Sequence, residues 1–259
     1  MDCFEVRGRR VHVKREDLYG IPPAPPLGKL RGLRRLLRRL HGEGFRLVGT
    51  WDTRISRLGE GVAAAVHEWE GLRCIVSYPH AKGSETPEPV RRAADLGAEV
   101  FPAPAGRITV SFARAREHVT ACGGVMLPFG LECLDAVEGV EEEAATVPQE
   151  LVEGGTLVLC CGSGVTLAGL LRGLPAQPRR ILALSSGRSL PKIEACLRRY
   201  AGPPPAELEI LPAAVPYSLA LDIPCPFPTH PHYDLKAWGL LEERLPELPD
   251  PVLFWNIGA

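Results

Sequence analysis

Chemistry that needs an amine has few places to go in this chain. Of its 30 basic residues only five are lysines: Lys14, Lys29, Lys82, Lys192 and Lys236. A lysine amine can attack a carbonyl or serve as a base once its proton is gone. Lys29 follows the proline-rich stretch Ile21 to Pro26 and precedes a leucine-rich run. Lys14 is expected to be structural, paired near Glu16 or Asp17, and Lys236 to cap a surface helix. The second chemical feature is Thr156 to Leu170, an apolar strand running into Gly162-Ser163-Gly164 and then a helix holding Thr166 and Gly169. Glycines there let backbone N-H groups converge on an anion, the helix N-terminus adds partial positive charge, and Ser163 and Thr166 offer hydroxyls. A phosphate-sized anion suits this turn. A dinucleotide suits it less, because the third fingerprint glycine is missing and no acidic residue stands about 20 positions on. Such turns also serve as plain tight connections, so the motif alone leaves both readings open.

The elements that must hold these groups alternate short apolar runs with longer helix-like segments, the pattern of parallel β-α-β units. Strands are expected at Arg46 to Thr50, Arg73 to Tyr78, Glu99 to Pro102, Gly124 to Leu127, Thr156 to Cys161, Ile181 to Ser185 and Val252 to Asn256. Helices are expected at Gly59 to Gly71, with apolar residues near a period of 3.6, and at Pro87 to Gly97, bounded by proline and glycine. Gly59 and Gly162 then fall at strand-to-helix turns, where open parallel sheets bind ligands. The proline-rich stretches Ile21 to Pro26, Gly202 to Pro205 and Ile223 to Pro231 read as loops.

With 259 residues, 45% hydrophobic and 24% charged, the chain is neither disordered nor collagen-like, and it has no apolar run of the roughly 20 residues a membrane span needs. Its opening MDCFEVRGRR lacks the apolar stretch of a signal peptide. The eight cysteines form no Cys-x-x-Cys pair, so they are expected to be reduced and the protein cytoplasmic. Residues 1 to 57 carry 14 Lys/Arg against 6 Asp/Glu, although the whole chain has a net charge of −1. Much of that excess lies on one helix. Arg31, Arg34, Arg35, Arg38 and Arg39 repeat at helical spacing opposite Leu30, Leu33, Leu36, Leu37 and Leu40. Such a face is either simply solvated or able to grip nucleic-acid phosphates.

Taken in order, these segments resemble the fold type II pyridoxal-phosphate enzymes, particularly the branch of aminocyclopropane-carboxylate deaminase and D-cysteine desulfhydrase. Val13 to Leu18 is similar to the family's opening strand and turn, and Leu27-Gly28-Lys29-Leu30-Arg31 falls where its Schiff-base lysine stands. Gly59 to Ala65 resembles the helix after the substrate loop, and Gly162 to Gly169 the phosphate turn. Tyr233 to Leu240 is similar to a late helix, and Phe254 to Ala259 replaces the final strand. The resemblance implies an α/β fold of two domains with parallel sheets flanked by helices. The larger, coenzyme-binding domain is expected over 1–45 and 128–259, with a smaller inserted domain over 46–127. It further implies pyridoxal 5'-phosphate as cofactor, Lys29 as catalytic amine, and a homodimer. Gly162, Ser163, Gly164, Val165, Thr166, Asn256 and Ile257 are expected at the coenzyme, and the chemistry is of lyase or deaminase type on an amino-acid-like substrate.

The sequence departs from the family in the substrate loop, which reads Thr50 to Leu58 without the usual Asn and His. Thr53, Arg54, Ser56 and Arg57 are the substrate-binding candidates there, the arginines as forks for carboxylate or phosphate. Tyr217 and His232 are candidates from the later loops, beside Tyr233 and His230. Ile257 stands where the family has a hydroxyl residue near the pyridine nitrogen. Two alternatives follow: the same cofactor acting on an amino acid attached to a larger anion, such as a modified nucleotide in DNA, or a ligand-binding protein that has lost turnover.

Overall fold

In a computed structural model, which describes residues 1–258, the strands of the chain sort into two sheets and the chain into two units. One unit comprises Met1–Tyr19 and the chain from Glu132 onward; the other is Gly20–Leu131.

The first unit begins with a hairpin of β1 (Asp2–Val6) and β2 (Arg9–Arg15). Arg7 and Gly8 join them at φ 48° and 77°, the pair of positive angles that a two-residue type I′ turn requires. A 3-10 turn over Glu16–Leu18 follows.

The second unit opens with a 3-10 turn over Gly28–Leu30 and continues as α1 (Leu33–Gly42), β3 (Leu47–Trp51), α2 (Leu58–Val66), β4 (Arg73–His80), α3 (Glu88–Asp95), β5 (Glu99–Pro104), α4 (Ile108–Ala121) and β6 (Val125–Met126). Its strands are parallel, in the order β5-β4-β3-β6. Residues 20–45, expected with the larger domain, belong here. The reason is apolar packing: Leu30 is fully buried against Gly61 of α2, and Leu33, Leu36, Leu37 and Leu40 are the buried stripe of α1.

The first unit then resumes with α5 (Leu134–Ala144), β7 (Thr156–Cys161), α6 (Val165–Gly173), β8 (Arg180–Ser185), α7 (Leu190–Tyr200), β9 (Leu208–Pro212), α8 (Asp234–Arg244) and β10 (Val252–Asn256). The sheet order is β1-β2-β10-β7-β8-β9, parallel except for β1. Every residue of β7 and β10 is buried, which is why these two read as unbroken apolar runs. Trp238, Phe227 and Phe254 pack edge or tilted to one another at 5.0 to 5.9 Å on one side of this sheet. No helix among the described residues is long and apolar enough to cross a membrane.

Candidate functional site

In the first unit, three consecutive parallel strands deliver their C-terminal ends to one edge. At the end of β7 the chain turns through Gly162, Ser163 and Gly164 into α6. Gly164 has φ 96°, and a Cβ there would lie 3.1 Å from that of Cys196, so a side chain would be both strained and crowded. The N-cap residue of α6, Gly164, has no side chain to bring to the first turn, and Ser163 and Thr166 are nearly buried there. Val165 is buried as the first residue of that helix. A tetrahedral anion suits such a turn by donor chemistry, through the N-terminus of α6 and the Ser163 and Thr166 hydroxyls.

The neighbouring strand end, after β8, turns through Ser185, Ser186 and Gly187. Ser186 N-H donates to Cys161 O at 3.1 Å, and Gly187 has φ 98°. The ring of Tyr217 lies over Gly187, 3.2 Å from where a Cβ would stand. The Tyr217 and Tyr233 hydroxyls are hydrogen-bonded, and their rings meet edge-on at 5.4 Å. His230 lies 4.4 Å from the Tyr233 ring, centroid to centroid, and His232 N-H donates to His230 Nδ1 at 3.3 Å. His232 Nδ1 itself is buried and has no hydrogen-bond partner among the described residues. Tyr217, Tyr233, His230 and His232 therefore form one cluster.

Lys236 departs from expectation. It is 5% exposed, and its Nζ donates to Pro216 O at 2.7 Å and Tyr217 O at 3.3 Å, with burial holding its pKa below the ordinary lysine value. Instead of capping a surface helix, it ties the Tyr217 loop to the first turn of α8. The carbonyls that hold it come from a loop about 20 residues earlier in the chain, so helical spacing gave no sign of them.

At the end of β10, Asn256 is fully buried. Its amide donates to Asp17 Oδ1 at 2.7 Å and Pro228 O at 2.9 Å, and its carbonyl accepts from Thr229 Oγ1 at 2.9 Å. Asp17 in turn accepts a forked pair from Arg15, which also holds Asp2 at 2.7 Å. Both amide hydrogens of Asn256 are thus spent on protein groups, and the residue acts by fixing the strand end. Ile257 follows it, 7% exposed. Lys14 pairs with Glu143 and reaches Glu16 at 3.9 Å, the latter as expected.

In the second unit, Lys29 stands half-buried in the middle of the Gly28–Leu30 turn. Leu30 anchors that turn, because Gly61 leaves no room for anything else: a Cβ there would meet Leu30 Cδ2 at 2.5 Å. The loop between β3 and α2 is stitched by its own hydroxyls. Thr53 Oγ1 accepts from Ser56 N-H at 3.1 Å, and Ser56 Oγ accepts from Leu58 N-H at 3.3 Å. Arg54 is exposed and donates to Glu85 O at 3.3 Å, while Arg57 lies 4.0 Å from the buried Glu60.

Asp52 was missed by sequence reasoning and is the most constrained group of the loop. Fully buried, it accepts from Gly59 N-H at 2.8 Å and so clamps the start of α2 to the end of β3. Desolvation pushes its carboxyl up to about 7, against the opposing hydrogen bonds from Ser56 and Gly59. An aspartate one residue past a β-strand and seven before a glycine was the available signal.

Comparison with known proteins shows the same fold elsewhere. The structure superposes on an ACC deaminase homologue with a TM-score of 0.78 and 21% identity, over 97% of this chain and 85% of that one. A threonine deaminase from T.th. gives a TM-score of 0.67 at 16% identity, over 97% and 87% of the two chains. The chain has the fold of the fold type II pyridoxal-phosphate enzymes. Maize serine racemase shares it as well, at a TM-score of 0.62 and 14% identity over 97% of this chain and 85% of that one. In sequence, the chain is 28% identical, over all of its length and 97% of the relative's, to a protein of Pseudomonas phage M6 described as a glycyl-dTMP PLP-dependent decarboxylase. No family model matches the chain.

Proposed function

We propose that this chain is a pyridoxal-phosphate-dependent lyase that breaks a bond to the Cα of an amino acid carried on a thymidylate-type nucleotide. The observation carrying this reading is the end-to-end similarity to the phage decarboxylase, with no segment of this chain left outside it. The altered loop supports it. Arg54 and Arg57 lie in the loop that lacks the family's usual Asn and His, and guanidinium forks suit a phosphate or carboxylate better than a small neutral group.

The coenzyme fits the residues present. The α6 turn, with Gly162, Ser163, Gly164, Val165 and Thr166, would hold its phosphate, and the amine of Lys29 its aldehyde. Bound, it supplies an electron sink for the pair left on Cα when a bond there breaks. The protein decides which bond that is. Thr53, Ser56 and the two loop arginines orient the carboxylate and nucleotide ends, and Asp52 fixes the loop by holding Gly59. In the decarboxylation reading the Cα-carboxylate bond breaks, carbon dioxide leaves, and a proton returns to Cα, leaving an amine on the nucleotide. Lys29 Nζ, or the hydrogen-bonded Tyr217 and Tyr233 hydroxyls, would carry that proton. Lys29 and the glycine turn, both retained, favour turnover over a purely ligand-binding role.

The test is release of labelled carbon dioxide from carboxyl-labelled glycine joined to thymidylate, with free labelled glycine alongside. Release from the conjugate alone, lost in Lys29→Ala, is the expected result. Release from free glycine alone, or from neither, overturns the nucleotide assignment.

A further inference from the structure

The division of the chain into units exposes a division of charge that the net value hides. Gly20–Leu131 holds sixteen Lys/Arg against ten Asp/Glu, while the rest of the chain is acidic. One of those ten acids, Asp52, is buried with its carboxyl pushed up to about 7, so it adds little negative charge to the surface.

The excess concentrates on α1. That helix contains four arginines and no acidic residue, and its leucines are all buried, which turns the arginines toward its outer side. It begins four residues after Lys29 and continues the helical backbone of Arg31, so the basic row starts beside the candidate amine and runs away from it. From Arg31 to Arg39 the rise is roughly 12 Å at helical spacing, enough to follow more than one phosphate of a strand.

Two carboxylates paired with this row are surface groups. Arg34 holds Glu68 at 2.7 Å with both side chains about two-fifths exposed, and Arg39 holds Glu43 at 3.1 Å with both about half exposed. Exposed pairs of this kind contribute little, so phosphates can replace them at small cost. Arg38 is exposed, with its guanidinium carbon 6.0 Å from the centroid of the Trp69 ring.

We infer that the α1 face bearing Arg31, Arg34, Arg35, Arg38 and Arg39 is a track for the phosphate backbone of DNA, and that the nucleotide acted on is a residue of the polymer. This rests on the function proposed above and narrows its substrate class from a mononucleotide to a polynucleotide. Backbone contacts of this sort are blind to sequence and strongly dependent on salt.

The experiment uses the full-length, coenzyme-loaded protein and a fluorescent thymidine-rich oligonucleotide, reading anisotropy between low and physiological salt. Binding should weaken linearly on a log-log plot of affinity against salt. Arg35→Ala with Arg38→Ala should reduce the slope by about 1.4, roughly 0.7 for each phosphate of a single strand no longer neutralised. Arg35→Lys with Arg38→Lys should keep the slope, since each position retains its charge, and Arg198→Ala on α7 of the other unit should also leave it unchanged. An unchanged slope in the alanine pair, or no DNA binding at low salt, overturns the track. Decarboxylation of the free conjugate is scored separately, so a protein that turns over the mononucleotide without holding DNA would refute the track and leave the proposed function standing.

Discussion

Asp52 shows how one buried acid can set the behaviour of a loop. Its ordinary pKa is near 4, and in the folded chain it titrates near 7 because water is excluded from both oxygens. The folded state therefore holds a proton that the unfolded chain has already lost between those two values. Stability contributed by the neutral acid is fully present below pH 4 and is lost as the pH rises to about 7, by about 4 kcal/mol. Asn at this position still accepts from Gly59 N-H but does not titrate. Urea unfolding of Asp52→Asn from pH 4 to 8 should lack that fall, while the native chain shows it. Parallel curves for the two proteins would contradict the burial argument. The arginines of the same loop were visible in the sequence by type; Asp52 was not, because a lone aspartate between a strand and a helix looks like any surface turn until the fold buries it.

At the level of elements, the Lys29 turn depends on a contact between Leu30 and α2. Gly61→Ala would place a methyl 2.5 Å from Leu30 Cδ2 and 2.7 Å from Cδ1 in a fully buried position, so the turn must shift or the core must open. The expected cost is about 1 to 3 kcal/mol of stability, the usual penalty of overpacking, read in a thermal melt. Coenzyme affinity should fall with it, whereas an exposed control such as Gly42→Ala, with open space around its Cβ, should not change either. The same packing explains why residues 20–45 sit with the smaller expected domain: a sequence shows that Leu30, Leu33, Leu36, Leu37 and Leu40 are a stripe, not which neighbour covers it. Strands buried on both faces were legible end to end, as Thr156–Cys161 and Val252–Asn256 show. Those missed were β1, where the exposed Cys3 and Glu5 alternate with covered residues, and the edge strand β9, which ends on proline, while β2 entered only through the resemblance at Val13 to Leu18. At an edge, pairing on one side suffices, and the apolar signal that a central strand must carry is absent.

Over the whole molecule, the amine of Lys29 belongs to Gly20–Leu131 and the turn at Gly162 to Thr166 to the other unit, and the proposed function assigns the first to an aldehyde and the second to a phosphate. The fold itself is common to enzymes described as deaminases and a racemase, so architecture does not choose the reaction. The features of this chain that bear on that choice are local: an arginine-bearing loop and a buried acid within it. The most direct check on that assignment is to load the protein with pyridoxal phosphate, reduce it with borohydride, digest it and locate the modified lysine by mass spectrometry. The expected result is a label on the peptide carrying Lys29 and none on Lys14, Lys82, Lys192 or Lys236. A label on any of those four instead, or no label after loading, would contradict it.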